Sequence, residues 1–127
     1  MQSNKKVLIV EDERNVRNAI KRIVNQGLPS VEVLETGNGK QALSIAKNNK
    51  PNLILLDILM SSMNGLQVLK VLKESENLQI KRIPVIMLTG VSNREINEKA
   101  RKIGAVDYIT KPFNEKIFLM KIKNYLK

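Results

Sequence analysis

The chain has 127 residues, of which 43% are hydrophobic and 27% are charged, and its formal net charge is +10. This length predicts a single globular domain over residues 1–127, and the lack of an apolar run near the roughly 20 residues that span a bilayer predicts a cytoplasmic protein with no membrane partner. Neither cysteine nor histidine is present, which excludes disulfides, thiolate chemistry, imidazole bases and the usual zinc ligands, and leaves only oxygen ligands for a metal.

Short apolar runs alternate with amphipathic stretches along the whole chain, a pattern typical of repeated βα units. In chain order we predict a strand Lys6–Val10, a helix Arg14–Gln26, a strand Val31–Glu35, a helix Gly39–Asn48, a strand Leu53–Asp57, a helix from Gly65 to about Glu74, a strand Pro84–Leu88, a helix from Arg94 to just before Gly104, a strand Asp107–Ile109, and a helix from Asn114 nearly to Lys127.

Capping residues mark several of these boundaries. Asn38 and Asn114 stand just before predicted helices and are predicted to cap them through side-chain oxygens. Asn64 with Gln67 three residues later has the spacing of a capping box, as do Ser92 and Glu95. Gly27 is predicted to be the C-terminal cap of the first helix.

Five βα units of this length fit one architecture. Right-handed crossovers place helices on both faces of a parallel sheet, so we predict an α/β, doubly wound, flavodoxin-like (βα)5 fold of five parallel strands in the order 2-1-3-4-5. In that order the first and third strands are neighbours, and the switch point of the sheet lies beside Asp12 and Asp57.

Polar groups follow four of the predicted strands. Glu11 and Asp12 follow the first, Asp57 closes the third, Thr89 follows the fourth, and Lys111 comes after the fifth. Any one of these carboxylates alone could cap a helix or begin a turn, but two like charges about 5 Å apart repel by roughly 3 kcal/mol at an effective dielectric of about 20. The joint pattern therefore predicts a compensating cation, with Mg²⁺ the best fit and Mn²⁺ an alternative.

Such a pocket suits phosphoryl transfer to a carboxylate. Asp57 would be the nucleophile and form an aspartyl phosphate, while Lys111 and the metal neutralise charge and Thr89 donates a hydrogen bond. Gly90 leaves room for the incoming donor. The chain has no Gly-rich lysine loop of the Walker type, so a nucleotide is not the expected donor.

Four ordered segments resemble the receiver domain of two-component response regulators, of the single-domain chemotaxis type. They are Leu8–Glu13, Leu55–Met60 with Met63–Gly65, Val85–Gly90, and Gly104–Phe113. The resemblance implies that Asp57 is the phosphoacceptor and that the metal is held by Glu11, Asp12, Asp57 and the backbone carbonyl of Leu59. It also implies that Thr89 and Lys111 contact the phosphoryl group. Finally, it implies that Tyr108 is an aromatic switch and that the Lys111–Pro112 bond is cis.

The resemblance also implies partners. A sensor histidine kinase or phosphotransfer protein would supply the phosphoryl group, and the chain would be a signalling domain with self-catalysed dephosphorylation, not an enzyme. The output would be a protein partner, on a surface formed by the fourth predicted helix, the fifth strand and the fifth helix, with the chain a monomer or a phosphorylation-dependent dimer. Basic residues cluster there in the sequence: Arg94, Lys99, Arg101, Lys102, Lys116, Lys121 and Lys123. Nucleic acid is not expected to bind this domain alone, because aromatic residues are only 3%.

Three departures from the family pattern and two alternatives remain. Glu11 replaces a frequent Asp, Ser61 a frequent Pro and Gly90 a frequent Ala, while the apolar Leu59 and Val91 are expected to limit water access. A magnesium-dependent phosphatase would need a second carboxylate where Leu59 stands. A receiver segment of a longer DNA-binding regulator or hybrid kinase stays open. Without the resemblance, Tyr108 is better interpreted as a core residue.

Overall fold

A computed structural model describes residues 4–60, 63–90 and 94–126. In chain order the elements are β1 (Lys6–Val10), α1 (Arg14–Gly27), β2 (Glu32–Thr36), α2 (Gly39–Asn49), β3 (Leu53–Asp57), α3 (Gly65–Lys73), α4 (Leu78–Lys81), β4 (Val85–Thr89), α5 (Arg94–Ile103), β5 (Asp107–Thr110) and α6 (Glu115–Tyr125). The short helix α4 was not predicted, so the predicted fourth and fifth helices are α5 and α6.

The five strands form one parallel sheet in the order β2-β1-β3-β4-β5, which confirms the flavodoxin-like prediction. Val10 at the end of β1 is in register with Thr36 of β2 and Leu56 of β3. Asp57 is in register with Leu88 of β4, and Thr89 with Thr110 of β5. The carboxyl ends of all five strands therefore lie at one edge of the sheet.

Two apolar cores enclose the sheet, one on each face. Alternate strand residues such as Leu8 and Val10 pack with helices α2, α3 and α5, whereas Val7 and Ile9 pack with α1 and α6. The alternation follows from the period of two in a β-strand. Because both faces are covered, the strands read as continuous hydrophobic runs.

Strands β1 and β3 have the predicted bounds, and the other three differ by one residue. Strand β2 begins at Glu32 because the Val31 amide donates to the Leu28 carbonyl in a turn (3.0 Å), while the Glu32 amide donates to Lys5 (2.8 Å). Strands β4 and β5 extend to Thr89 and Thr110, which are paired with each other.

The prediction that Gly27 caps α1 is wrong. Gly27 is the last residue of the helix and Leu28 is the cap, its amide donating to the Val24 carbonyl. A Cβ atom at Gly27 would come within 2.5 Å of Leu119 Cδ1. The absence of a side chain is therefore a packing requirement between α1 and α6.

The predicted asparagine caps are confirmed where they can be seen. The side chains of Asn38, Asn64 and Asn114 accept backbone hydrogen bonds from Gln41, Leu66 and Ile117 respectively. The Asn64 amide in turn donates to the Gln67 side chain (3.1 Å), which completes the capping box. Residues Ser92 and Asn93 of the other proposed box lie outside the described residues. No helix in the described ranges is both long enough and apolar enough to cross a membrane.

Removing the cap at Asn64 should destabilise the domain. Asn64→Ala leaves the Leu66 amide without its acceptor, and we expect the free energy of unfolding to fall by about 1 kcal/mol. Urea denaturation followed by circular dichroism measures the change. Asn48→Ala, an exposed asparagine inside α2, is the matched control, and an equal loss in both variants would contradict a capping role.

Candidate functional site

Three carboxylates converge at the carboxyl edge of the sheet. Glu11 and Asp12 directly follow β1, and Asp57 is the last residue of the neighbouring strand β3. One carboxylate oxygen from each lies within 4.8 Å of the others. Glu11 and Asp57 are buried, whereas Asp12 is exposed. The fold thus gathers the acidic residues that the sequence singled out.

Lys111 partly neutralises this cluster. Its Nζ lies 2.6 Å from Glu11 Oε1 and 3.5 Å from Asp57 Oδ1. Its backbone amide donates to the Thr89 carbonyl (2.7 Å), and the Lys111–Pro112 peptide bond is cis, as the resemblance implied. Burial alone would lower the pKa of Lys111, but the hydrogen bond to Glu11 and the charges of Asp57 and Glu11 outweigh it and raise the pKa. The lysine is therefore a permanent cation in the pocket.

Asp57 carries an unusual carboxyl group. Burial, a hydrogen bond with Glu11 and the charge of Glu11 together raise its pKa to about 7, against the opposing effects of the Lys111 charge and of the Leu59 amide. That amide donates to Asp57 Oδ1 at 3.3 Å. One ammonium thus leaves the charge of three carboxylates incompletely balanced, and Asp57 is mostly neutral only below about pH 7.

The donor set fits a magnesium or manganese ion. All three side chains offer carboxylate oxygens, which hard divalent cations prefer, and Mg²⁺ characteristically keeps waters alongside a few carboxylates. A divalent ion would also relieve the repulsion that raises the pKa of Asp57.

The role assigned to the Leu59 carbonyl as a metal ligand stays a prediction. Leu59 is 71% exposed as a residue, which does not support the expected shielding of the site from water. Ser61 and Val91 lie outside the described residues.

Thr89 ends β4 beside this cluster with an unsatisfied hydroxyl. Its side chain is buried, and Oγ1 has no hydrogen-bond partner among the described residues. A buried polar atom without a partner costs about 1–3 kcal/mol. Such an atom at a strand end is a donor available to a ligand.

Sequence comparison decides the family. Residues 7–123 match the model of the response regulator receiver domain. The chain belongs to the response regulator receiver domain family. The receiver domain is 35% identical over 122 residues to the polar-differentiation response regulator DivK of Brucella anthropi, covering 96% of each chain. It is also 38% identical over 120 residues to histidine kinase P4 of Formosa agariphila, covering 94% of this chain but only 8% of that protein's length.

Structural comparison gives the same result. The chemotaxis response regulator CheY4 of Vibrio cholerae superposes with a TM-score of 0.86 at 27% identity, covering 98% of this receiver domain and 100% of CheY4. A response regulator structure from Chloroflexus aurantiacus superposes with a TM-score of 0.89 at 25% identity, covering 98% of both chains. Both superpositions show that this chain has the fold of response regulators over nearly its whole length.

Tyr108 lies on β5, two strands from β3 in the sheet, and is partly buried against the core. Its ring centroid is 5.2 Å from Arg101 Cζ of α5 and 5.5 Å from Lys121 Nζ of α6. Lys121 Nζ also donates to the Tyr108 carbonyl at 2.8 Å. The aromatic ring therefore sits between two cations at the surface of the domain.

The basic residues of α5 do not form one face. Arg94 and Arg101 line a cavity of about 280 Å³ with Tyr108. Lys99 and Lys102 instead line a groove of about 620 Å³ between α5 and α3. The single basic surface suggested by the sequence is thus divided between two sides of one helix, because residues three, four or seven apart share a helical face, whereas residues one or two apart, such as Arg101 and its neighbours Lys99 and Lys102, do not.

Two residues that support the site were missed by sequence reasoning. A Cβ atom at Gly65 would lie 2.1 Å from the carbonyl oxygen of Asp57, so only glycine lets α3 begin against this strand end. Arg17 Nη1 donates to the Glu11 carbonyl (2.8 Å), and its Nε donates to Glu35 (3.0 Å). The Asn64-Gly65 pair signals a helix start, but neither contact has a local sequence signature.

The raised pKa of Asp57 predicts a pH-dependent stability. Because the folded pKa of about 7 exceeds the unfolded value of 3.8, the stability that this carboxyl contributes is present below about pH 4 and is lost as the pH rises through 7. In EDTA at pH 8, Asp57→Asn should raise the free energy of unfolding by about 1–3 kcal/mol, at about 1.4 kcal/mol per pKa unit with part of the effect screened by solvent.

Urea denaturation of Asp57→Asn and wild type at pH 8 and pH 5 tests this. The increase in the free energy of unfolding should be smaller at pH 5 than at pH 8. Asp107→Asn changes the same chemical group on β5, outside the acidic cluster, and should give no gain at pH 8. A destabilised Asp57→Asn at pH 8 would disprove the electrostatic interpretation.

Proposed function

We propose that Asp57 accepts a phosphoryl group from a histidine phosphodonor in a Mg²⁺-dependent reaction, and that the phosphorylated domain signals through the surface of α5, β5 and α6. One observation carries the proposal: a buried carboxylate lies beside two further carboxylates and within 3.5 Å of a lysine ammonium. The proposal treats residues 1–127 as one phosphoacceptor domain that works in the cytoplasm, as a monomer or a phosphorylation-dependent dimer.

The transfer forms one bond and breaks another. An ionised Asp57 oxygen attacks the phosphorus of phosphohistidine, the P–N bond breaks, and the imidazole leaves with a proton from solvent. The product is an aspartyl phosphate. Hydrolysis later replaces the carboxylate by water at phosphorus, which releases inorganic phosphate and regenerates Asp57.

The residues around Asp57 have separate parts in this reaction. Lys111 and Thr89 would donate to phosphoryl oxygens, with Thr89 Oγ1 supported by its lack of a partner among the described residues. Glu11, Asp12, Asp57 and the Leu59 carbonyl would hold the ion. When bound, Mg²⁺ supplies positive charge that offsets the charge of the transferring phosphoryl group.

This assignment makes the chain a signalling phosphoacceptor that catalyses its own phosphorylation and dephosphorylation. A phosphatase acting on other substrates would need an acid beside the nucleophile. Leu59, two residues after Asp57, offers only an exposed apolar side chain in that position. The pocket therefore lacks a group that a phosphatase would need, whereas the receiver assignment requires no such acid.

A groove beside the site suits a protein phosphodonor. A cavity of about 580 Å³ is lined by Val16 and Ala19 of α1, Gly90, and residues 111–113, together with Asn15. It adjoins Lys111, and the space beyond Gly90 is open. An apolar surface next to a reactive carboxylate would let a helical histidine donor dock and present its phosphoryl group.

The output surface is supported by charge and by Tyr108. Arg101 and Lys121 flank the ring, and Ile117 and Met120 of α6 are exposed apolar residues. The proposed partner is a protein with acidic groups, whose binding weakens with salt. Phosphorylation would shift a pre-existing equilibrium in which Thr89 moves toward the phosphoryl group and Tyr108 turns inward.

Small-molecule phosphorylation tests the chemistry directly. Acetyl phosphate with Mg²⁺ should add one phosphoryl group to the intact chain, and the adduct should be lost in Asp57→Asn and strongly reduced in EDTA. Intact-mass spectrometry with peptide mapping measures it. Labelling of Asp57→Asn at the wild-type level would refute the assignment of Asp57.

Protein-mediated phosphorylation tests the docking groove. With a phosphorylated histidine phosphotransfer protein that loads the wild-type chain, Ala19→Glu should slow transfer by about tenfold or more, since it places a charge in an apolar contact. Transfer from phosphoramidate should keep its wild-type rate. Asn18→Glu makes the same charge change at an exposed position of α1, and equal slowing by both variants would argue against the groove.

A further inference from the structure

Two buried side-chain polar atoms lack a hydrogen-bond partner in the part of the chain that the structure describes. They are Thr89 Oγ1 and Asn97 Oδ1. The proposed phosphoryl group accounts for Thr89, which ends a strand at the acidic cluster. It does not account for Asn97 Oδ1, an acceptor on α5, which needs a hydrogen-bond donor from elsewhere.

Asn97 is almost fully enclosed. Its residue is 5% exposed, and it lines the cavity of about 280 Å³ together with Arg94, Glu98, Arg101 and Tyr108. An asparagine is seldom buried without satisfying its amide, because a lost hydrogen bond in the interior is costly. The carbonyl oxygen of Asn97 is therefore an acceptor without a donor in this conformation.

The residues lining the cavity identify the donor. Glu98 is an acceptor when ionised. Arg94 pairs with Glu98 and its side chain is 93% exposed, while Arg101 pairs with Asp107 and its side chain is 53% exposed. Tyr108 is the remaining lining residue with a donor, and a phenol hydroxyl can move beside the buried Asn97 without the cost of burying a charge.

We propose that Asn97 is a positioning residue whose Oδ1 accepts a hydrogen bond from the Tyr108 hydroxyl when Tyr108 turns inward. This inference rests on the proposed function, because phosphorylation of Asp57 is what favours the inward ring. Turning inward removes the ring from Arg101 and Lys121, which now lie against it. The bond to Asn97 offsets that loss and satisfies the unpartnered oxygen.

Affinity for beryllofluoride, which mimics the phosphoryl group on Asp57, measures this stabilisation. In the presence of Mg²⁺, Asn97→Leu should bind beryllofluoride about 5- to 30-fold more weakly than wild type, since a net hydrogen bond and its unsatisfied partner are lost together. Tyr108→Phe should show a similar loss. The double variant should lose no more than either single one, because both remove the same bond.

Thermal unfolding without beryllofluoride separates this role from a structural one. Leucine has nearly the shape of asparagine and removes the unpartnered oxygen, so Asn97→Leu should melt at a higher temperature than wild type. A residue needed only for packing would lose stability and affinity together. Asn97→Asp keeps an acceptor oxygen and should retain the greater part of the affinity, and Asn48→Leu on α2 controls for the chemical change.

The outcomes are distinct. Wild-type affinity in Asn97→Leu, or additive losses in the double variant, would overturn the Asn97 assignment and leave the proposed function intact. A wild-type chain that neither binds beryllofluoride nor accepts a phosphoryl group would overturn both. If Asn97→Leu does not fold, the side-chain amide resonances of Asn97 in wild type decide the matter by NMR: they should shift on adding beryllofluoride, in wild type but not in Tyr108→Phe, and an unchanged signal refutes the bond.

Discussion

Repulsion among three carboxylates is the constraint around which this domain is organised. Parallel strands bring Glu11, Asp12 and Asp57 within 4.8 Å of one another, and Lys111 supplies a single ammonium against them. The fold holds this arrangement by backbone contacts. The Arg17 side chain donates a hydrogen bond to the Glu11 carbonyl, and Gly65 lets the first turn of α3 lie directly against the Asp57 carbonyl. The stability of the sheet offsets the repulsion among these like charges. The same repulsion favours binding of a cation in the pocket.

Two buried polar atoms of the described residues also lack hydrogen-bond partners. Thr89 Oγ1 is a donor beside the acidic cluster, and Asn97 Oδ1 is an acceptor beside Tyr108. An unsatisfied buried polar atom costs free energy, so under the proposed function any packing that satisfies the two atoms would gain stability relative to this one.

Features fixed by local chemistry could be predicted from the sequence, and features fixed by tertiary contacts could not. Strands β1 and β3 have their predicted bounds because each is a run of buried apolar residues that ends in acids. Asn38, Asn64 and Asn114 cap helices through bonds to residues two or three positions away. The four-residue helix α4 is too short to show a helical period. The contact of Gly27 with Leu119 and that of Arg17 with Glu11 join distant segments without any pattern in the sequence.

The same limit explains the candidate site. Motif order identified Asp57, Thr89 and Lys111, since each stands at the end of a strand or just after one. Asn97 has no signal in the sequence, because its burial depends on how α5 packs in the folded domain. The division of the basic residues likewise required the rotation of α5 about its axis, which the composition of the helix does not reveal.

Helix α5 has two charged edges, and each edge lines a different cavity. One edge, with Arg94 and Arg101, adjoins Tyr108, and the other, with Lys99 and Lys102, adjoins α3. Substitutions along one edge leave the other chemically unchanged. The two edges are thus free to diverge at different rates over evolution, while any displacement of the helix as a rigid body moves both at once.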